Sequence, residues 1–138
     1  METKSTGRTR DPLLALGGHW AVRLTTLRRD GTPVATPVNV AVAGDRAFFR
    51  TYEQAGKFKR LRNNPRVLVA PSTPRGKATG PDIEARATLL TGEDDALAAR
   101  LIDEKHRIFQ RGLVRTAHRV RRYTTRHFEL RPLDESRR

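Results

Sequence analysis

Apolar and polar residues alternate through most of the first half of the chain. Over residues 20–27, Val22, Leu24 and Thr26 fall on one side and Ala21, Arg23 and Thr25 on the other, the period of a half-buried strand. Asp30-Gly31 follows as a hairpin signal. Residues 32–42 alternate again, with Val34, Thr36, Val38, Val40 and Val42 on one face. A turn at 43–45 leads into a third strand at 46–51, so residues 20–51 predict a three-stranded antiparallel meander. Pro37 sits in the middle strand and lacks a ladder donor. It marks an edge, a bulge, or a place where something other than backbone lies alongside.

The period then changes. Thr51 and Gln54 have capping-box spacing, Phe58 and Leu61 lie three apart on one helical face, and Asn63-Asn64-Pro65 is a stop. A short helix is predicted there, with Lys57, Lys59, Arg60 and Arg62 crowded on it. Alternation resumes at 66–72, 83–92 and 123–132, giving three further strands. Residues 73–82 form a loop rich in Gly and Pro. Between the last two strands, residues 91–109 predict a longer helix with Glu93, Asp94 and Asp95 in its first turn and an apolar line of Leu97, Leu101 and Ile108. Hairpin connections without regular helical crossovers predict an antiparallel barrel. The expected fold is mainly β: a six-stranded antiparallel split barrel with one short basic helix and one longer helix. Its expected span is residues 12–133, between an N-terminal tail at 1–11 and a loose tail at 134–138.

Composition sharpens this. The chain has 138 residues, enough for one domain with a real core. Its net charge is +13, from 28 Lys and Arg against 15 Asp and Glu, which points to an anionic partner. There is no cysteine, hence no disulfide framework and no thiolate metal site. The polar N-terminus carries no apolar signal segment, and no apolar run approaches the ~18 residues of a spanning helix. The expectation is a cytoplasmic protein with no membrane partner.

Self-contained catalytic machinery is not legible. The chain has no G-x-G-x-x-G after a strand, P-loop, H-E-x-x-H or G-x-S-x-G. His19, His106, His118 and His127 keep no metal-ligand spacing, so no metal and no catalytic side chain are assigned. Any hard chemistry then falls to a cofactor. The short basic helix is the strongest local signal, because a helix start surrounded by cations binds phosphate. Arg107, Arg111, Arg115 and Arg119 recur every four residues and continue into Arg121, Arg122 and Arg126. If helical, they make a basic stripe; a solvated face is the plainer reading.

The stretch from Ala55 to Gly76, with its Lys57-x-Lys59-x-Leu61-Arg62-x-Asn64-Pro65-Arg66 pattern, carries a family likeness together with residues 24–40 and 46–51. It resembles the split β-barrel flavin and deazaflavin oxidoreductases, which include pyridoxamine 5'-phosphate oxidase. The nearer likeness is to their actinobacterial F420-dependent branch, over residues 14 to 132. The resemblance implies a homodimer with the cofactor between subunits. It implies that Thr36, Pro37, Val38 and Asn39 run along the cofactor ring. Arg50, Thr51, Lys57, Lys59 and Arg60 would hold the phosphate end, with Ser72 and Arg75 near the ring or tail. Some relatives carry a basic residue two before the helix lysine, where this chain has Ala55. The implied activity is hydride transfer between reduced F420 and a small organic substrate. F420 bears a phosphate and a polyglutamate tail, which suits a basic chain better than FMN, the alternative cofactor. A barrel that binds cofactor without turnover, or that binds nucleic acid, is the rival of another class. Single-strand binding is disfavoured because the chain has few aromatic stacking platforms.

Overall fold

The computed structural model describes residues 12–19, 21–109 and 124–133. The expected tails at 1–11 and 134–138, Trp20, and the basic run from Arg111 to Arg122 lie outside the described residues. Seven strands are seen: β1 (Ala21–Leu27), β2 (Pro33–Val38), β3 (Val40–Ala43), β4 (Arg46–Tyr52), β5 (Arg66–Ser72), β6 (Ile83–Leu89) and β7 (Thr125–Pro132). Two helices join them, α1 (Gly56–Asn63) after β4 and α2 (Gly92–Phe109) after β6, and a 3-10 turn at Leu16–Gly18 precedes β1. Among the described residues, no helix is long and apolar enough to cross a membrane.

All seven strands form one antiparallel sheet in the order β2-β1-β5-β6-β7-β4-β3. The expected count of six is corrected by the stretch 32–42. It is not one strand but two, broken at Asn39. Its first half pairs with β1 (Thr36 opposite Leu24), its second half with β4 (Val40 opposite Phe49). The two halves therefore end the sheet on opposite sides while being joined through a single residue. Val38 and Val40 can be at most roughly 7 Å apart, so the sheet must curl until its edges meet. The predicted meander is thus the closing seam of a half-barrel.

Alternation fixes what the barrel encloses. Val22, Leu24, Val40, Phe49, Val69 and Phe128 point inward and are buried. Phe49 and Phe128 face each other across β4 and β7, with stacked rings 5.2 Å apart. α1 closes one end by lowering Phe58 and Leu61 into this core, and the Phe58 ring meets Phe128 edge-on at 6.1 Å. The outward residues of β3, β4 and β7 form a second layer. There Ala41 and Phe48 pack with Ala98 and Ile102 of α2. The buried line of α2 is therefore Ala98, Ile102 and Lys105, with the expected Leu97 and Leu101 flanking it half-buried. The Ile108 side chain lies outside the described residues.

A lysine in that line has a specific task. The Lys105 ammonium donates to the carbonyls of His19 (2.8 Å) and Val40. Val40 opens β3, an edge strand, so Lys105 ties the seam and the turn before β1 to α2. Burial pulls its pKa down from 10.5 to about 8. A depressed folded value means that the unfolded chain binds more protons between those two pH values. Stability therefore rises with pH across that window, and below it the full cost of the buried charge remains. Denaturant unfolding at about pH 7.5 and about pH 10 should show the wild type gaining stability relative to Lys105→Met. Parallel behaviour of the two proteins would contradict it.

Candidate functional site

α1 starts later than its sequence suggests. Thr51 does not cap it. β4 runs on to Tyr52, and Thr51 and Tyr52 pair with Arg126 and Thr125 of β7. Ladder hydrogen bonds hold Thr51 in the sheet, buried, and the chain then turns through Ala55 N–H to the Tyr52 carbonyl at 2.9 Å. The residue in the cap position is Ala55, in extended conformation and with no side-chain bond to the helix. The Phe58 N–H is met by the Ala55 carbonyl at 3.1 Å, and the first turn of α1 keeps its partial positive charge without a side-chain cap.

Cations gather at this uncapped start. Arg60 lies one turn into α1 and folds back over it, because a Cβ built on Gly56 would stand 3.0 Å from Arg60 Nη1. A side chain at Gly56 would press on that guanidinium tip. Arg60 Nε donates to Thr26 Oγ1 of β1 at 2.6 Å. Burial lowers the pKa of Arg60, and the charge of Arg28 at the end of β1 adds to this. Lys57 is half-buried, and its pKa is lowered first by burial and then by the Arg60 charge. Among the described residues, no carboxylate forms a salt bridge with Lys57 or Arg60, whereas Arg28 is exposed and its charge also acts on the Asp30 carboxyl. Two like charges at a helix start, with Arg28 at their rim, form a site that an anion would stabilise.

Of the residues singled out in the sequence, Lys57 and Arg60 converge there, and Lys59 is exposed on the same helix. Thr36, Pro37 and Val38 lie on β2, and Asn39 is the seam residue. Val34, opposite Thr26, stands three positions from Pro37, roughly 10 Å along the strand. Ser72 ends β5, buried, its hydroxyl donating to the Thr73 carbonyl at 2.9 Å. Arg75 lies in the turn that follows, which folds back with Gly76 at φ +97° against the Pro37 ring. β2 thus connects two groups: Thr26, Arg28, Lys57 and Arg60 at one end, and Pro37, Ser72 and Arg75 at the other. Thr26 and Arg28 were not singled out from the sequence. The available signal for Thr26 was a hydroxyl in a row whose other members, Val22 and Leu24, are apolar.

Arg50 stands apart. It points to the outer face of β4, where Nε donates to His127 Nε2 at 3.1 Å and Nη2 pairs with Asp103 of α2 at 2.8 Å. His127 Nδ1 meets Asp95 of α2 at 2.8 Å. Beside them, buried Glu129 holds Arg46 and Arg131. Burial pushes the Glu129 carboxyl up, and the two arginines outweigh this and hold it below its usual range. Arg50 is therefore part of the docking of α2 and does not join the Lys57 group. Arg50→Ala should lower stability by about 1–2 kcal/mol, because His127 and Asp103 lose a partner and Asp103 is well solvated. Affinity for inorganic phosphate should not change. A phosphate defect with unaltered unfolding would return Arg50 to the anion site.

Comparison with known proteins extends the description. No curated protein matches the sequence. Among solved structures, the fold is similar to an F420 reductase at 20% identity, covering 86% of this chain and 90% of that one, with a TM-score of 0.58. It is also similar to an FAD-binding protein of Mesorhizobium loti (16%, 89% and 86%, TM-score 0.60). A third is the heme storage protein HutZ of Vibrio cholerae (14%, 94% and 88%, TM-score 0.57). At these identities the likeness is one of fold. The sequence profile described as pyridoxamine 5'-phosphate oxidase matches residues 14–129. That span runs from the turn before β1 into β7, and it shows that the chain belongs to the pyridoxamine 5'-phosphate oxidase family.

Proposed function

We propose that this chain is a flavin-type oxidoreductase that uses coenzyme F420, acts on a small organic substrate by hydride transfer, and works as a homodimer in the cytoplasm. The observation that carries the reading is the half-buried pair of Lys57 and Arg60 at the start of α1, which lacks a side-chain cap and, among the described residues, a carboxylate partner. A cofactor phosphate fits it in charge and in donor geometry. Lys57, Arg60 and the first N–H groups of α1 would hold that phosphate, with Lys59 at its rim. The residues Thr36 to Asn39 would line the ring, Pro37 adding an apolar surface on an edge strand. Ser72 and Arg75 would lie beside it, brought there by the turn that leans on Pro37.

When bound, F420 supplies hydride chemistry at C5 of its deazaflavin ring. The chain's own residues bind, orient and exclude water, and solvent serves as the proton source. F420 is favoured over FMN by charge. Arg28 adds a third cation beside Arg60, and the chain is +13 overall, more than one phosphate requires and suited to a polyglutamate tail. A heme reading gains nothing from His127, whose two ring nitrogens are occupied by Arg50 and Asp95. The homodimer is supported by the outer face of β2, where Pro33, Ala35 and Pro37 are exposed while α2 packs against β3, β4 and β7.

Fluorescence titration with F420, FMN and FAD tests the reading. F420 should bind most tightly, its affinity growing with tail length and falling between about 50 and 200 mM salt. Lys57→Ala should weaken F420 binding by roughly 1–3 kcal/mol, with little change in melting temperature. Unchanged affinity would take Lys57 out of the site. Tight oligonucleotide binding at the higher salt, with no binding of any of the three cofactors, would replace the oxidoreductase by a nucleic-acid module. Light scattering should give twice 15.6 kDa, and a monomer with intact affinity would remove the dimer.

A further inference from the structure

Thr26 is an anomaly in its row. It is the third inward residue of β1 after Val22 and Leu24 and, like them, is fully buried. A valine there would pack equally well and would bury no hydroxyl. The Thr26 hydroxyl has two partners. It lies 3.5 Å from the Val34 carbonyl, the limit of a useful bond, and accepts from Arg60 Nε at 2.6 Å. The short bond is therefore the one from the arginine.

The bond leaves the guanidinium in a defined state. With Nε engaged, the two Nη groups remain for a ligand, and Nη1 lies over Gly56 at the first residue of α1. An arginine free to rotate carries rotamer entropy, which a ligand must otherwise quench. Anchoring it beforehand strengthens binding by preorganisation. We propose that Thr26 is the positioning residue of the anion site, fixing Arg60 so that its Nη groups and the start of α1 converge on one phosphate. The proposal rests on the reading that this site takes a cofactor phosphate. Thr26 acts through Arg60 and does not itself touch the ligand.

The test compares ligands with and without the phosphate end: FMN with riboflavin, which differ only there, and F420 with its deazaflavin chromophore, which lacks the tail as well. In Thr26→Val, affinity for the phosphorylated member should fall about tenfold, the scale of one oriented charge-assisted bond. Affinity for the phosphate-free member should move less than about twofold. Thr26→Ser should restore the preference, because it returns the hydroxyl. In an Arg60→Ala background, Thr26→Val should have no further effect, since its target is gone. A wild type that does not prefer the phosphorylated ligands removes the phosphate reading itself. A wild type that does prefer them, with a Thr26→Val variant that keeps the preference or weakens both members equally, removes this inference alone. Should Thr26→Val not fold, the unaltered protein decides. The Arg60 Nε–H proton, assigned by its loss in Arg60→Lys, should exchange slowly with solvent and shift in NMR spectra when F420 is added. Exchange as fast as that of a solvated arginine would overturn the assignment of Thr26.

Discussion

Asn39 is the only residue between two strands that stand at opposite ends of the sheet order. That covalent constraint shapes the rest. Six ladders could otherwise lie in an open twisted sheet with two bare edges. Joining the outer strands through one residue forces the sheet to curl and brings its inward valines, alanines and phenylalanines into one core. It also sets where the accessory elements can go. α1 leaves β4 on one side of the sheet and packs on β1 on the other, so it spans the end of the barrel. The Lys105 ammonium reaches the first carbonyl after Asn39 and holds the seam from outside.

The placement of acids follows from the same architecture. α2 must cover the outward faces of β3, β4 and β7, and those faces carry Arg46, Arg50, His127 and Glu129. The helix supplies Asp94, Asp95 and Asp103 to them. Its acidic first turn, which the sequence explains by the helix dipole, therefore also serves docking. Arg23 is met by Asp82 and Arg126 by Glu53. Among the described residues the start of α1 receives no such partner, although Lys57 and Arg60 are half-buried and feel one another. Burial with mutual repulsion is unfavourable without a ligand. Among the described residues the outer arginines are neutralised and this group is not, and this contrast gives the α1 site more weight than total charge could.

The sequence was informative where one period ran without interruption. The alternation of β1, β4, β5, β6 and β7 and the stop after α1 could be read directly, because the inward face of each strand is mostly apolar. The break at Asn39 could not be read that way. Val38 and Val40 continue the alternation through it, and a bent strand has the same period as a straight one; only pairing partners distinguish them. The cap at Thr51 failed for a related reason. Its hydroxyl has the right spacing, but Thr51 also lies in a strand with a waiting partner, and six ladder positions against β7 outweigh one cap. Arg50 was placed with the phosphate residues by the family resemblance, which puts the end of this strand at the phosphate. Strand alternation sends adjacent side chains to opposite faces, and Arg50 went outward to α2.

Two polar residues in apolar rows, Thr26 in β1 and Lys105 in α2, share a logic. Each stands where a hydrophobe would satisfy the core, and each adds a polar tie to an element that packs against its own. Lys105 uses its ammonium on the His19 and Val40 carbonyls, and its charge goes to fixing the seam. Thr26 contributes only an acceptor, so the charge that it fixes, that of Arg60, is not neutralised by the contact. A carboxylate at that position would have held Arg60 more strongly, but it would also have cancelled the charge. A neutral hydroxyl holds the guanidinium in place and leaves its full charge facing the start of α1. A site built to receive an anion needs that combination of fixed geometry and uncancelled charge.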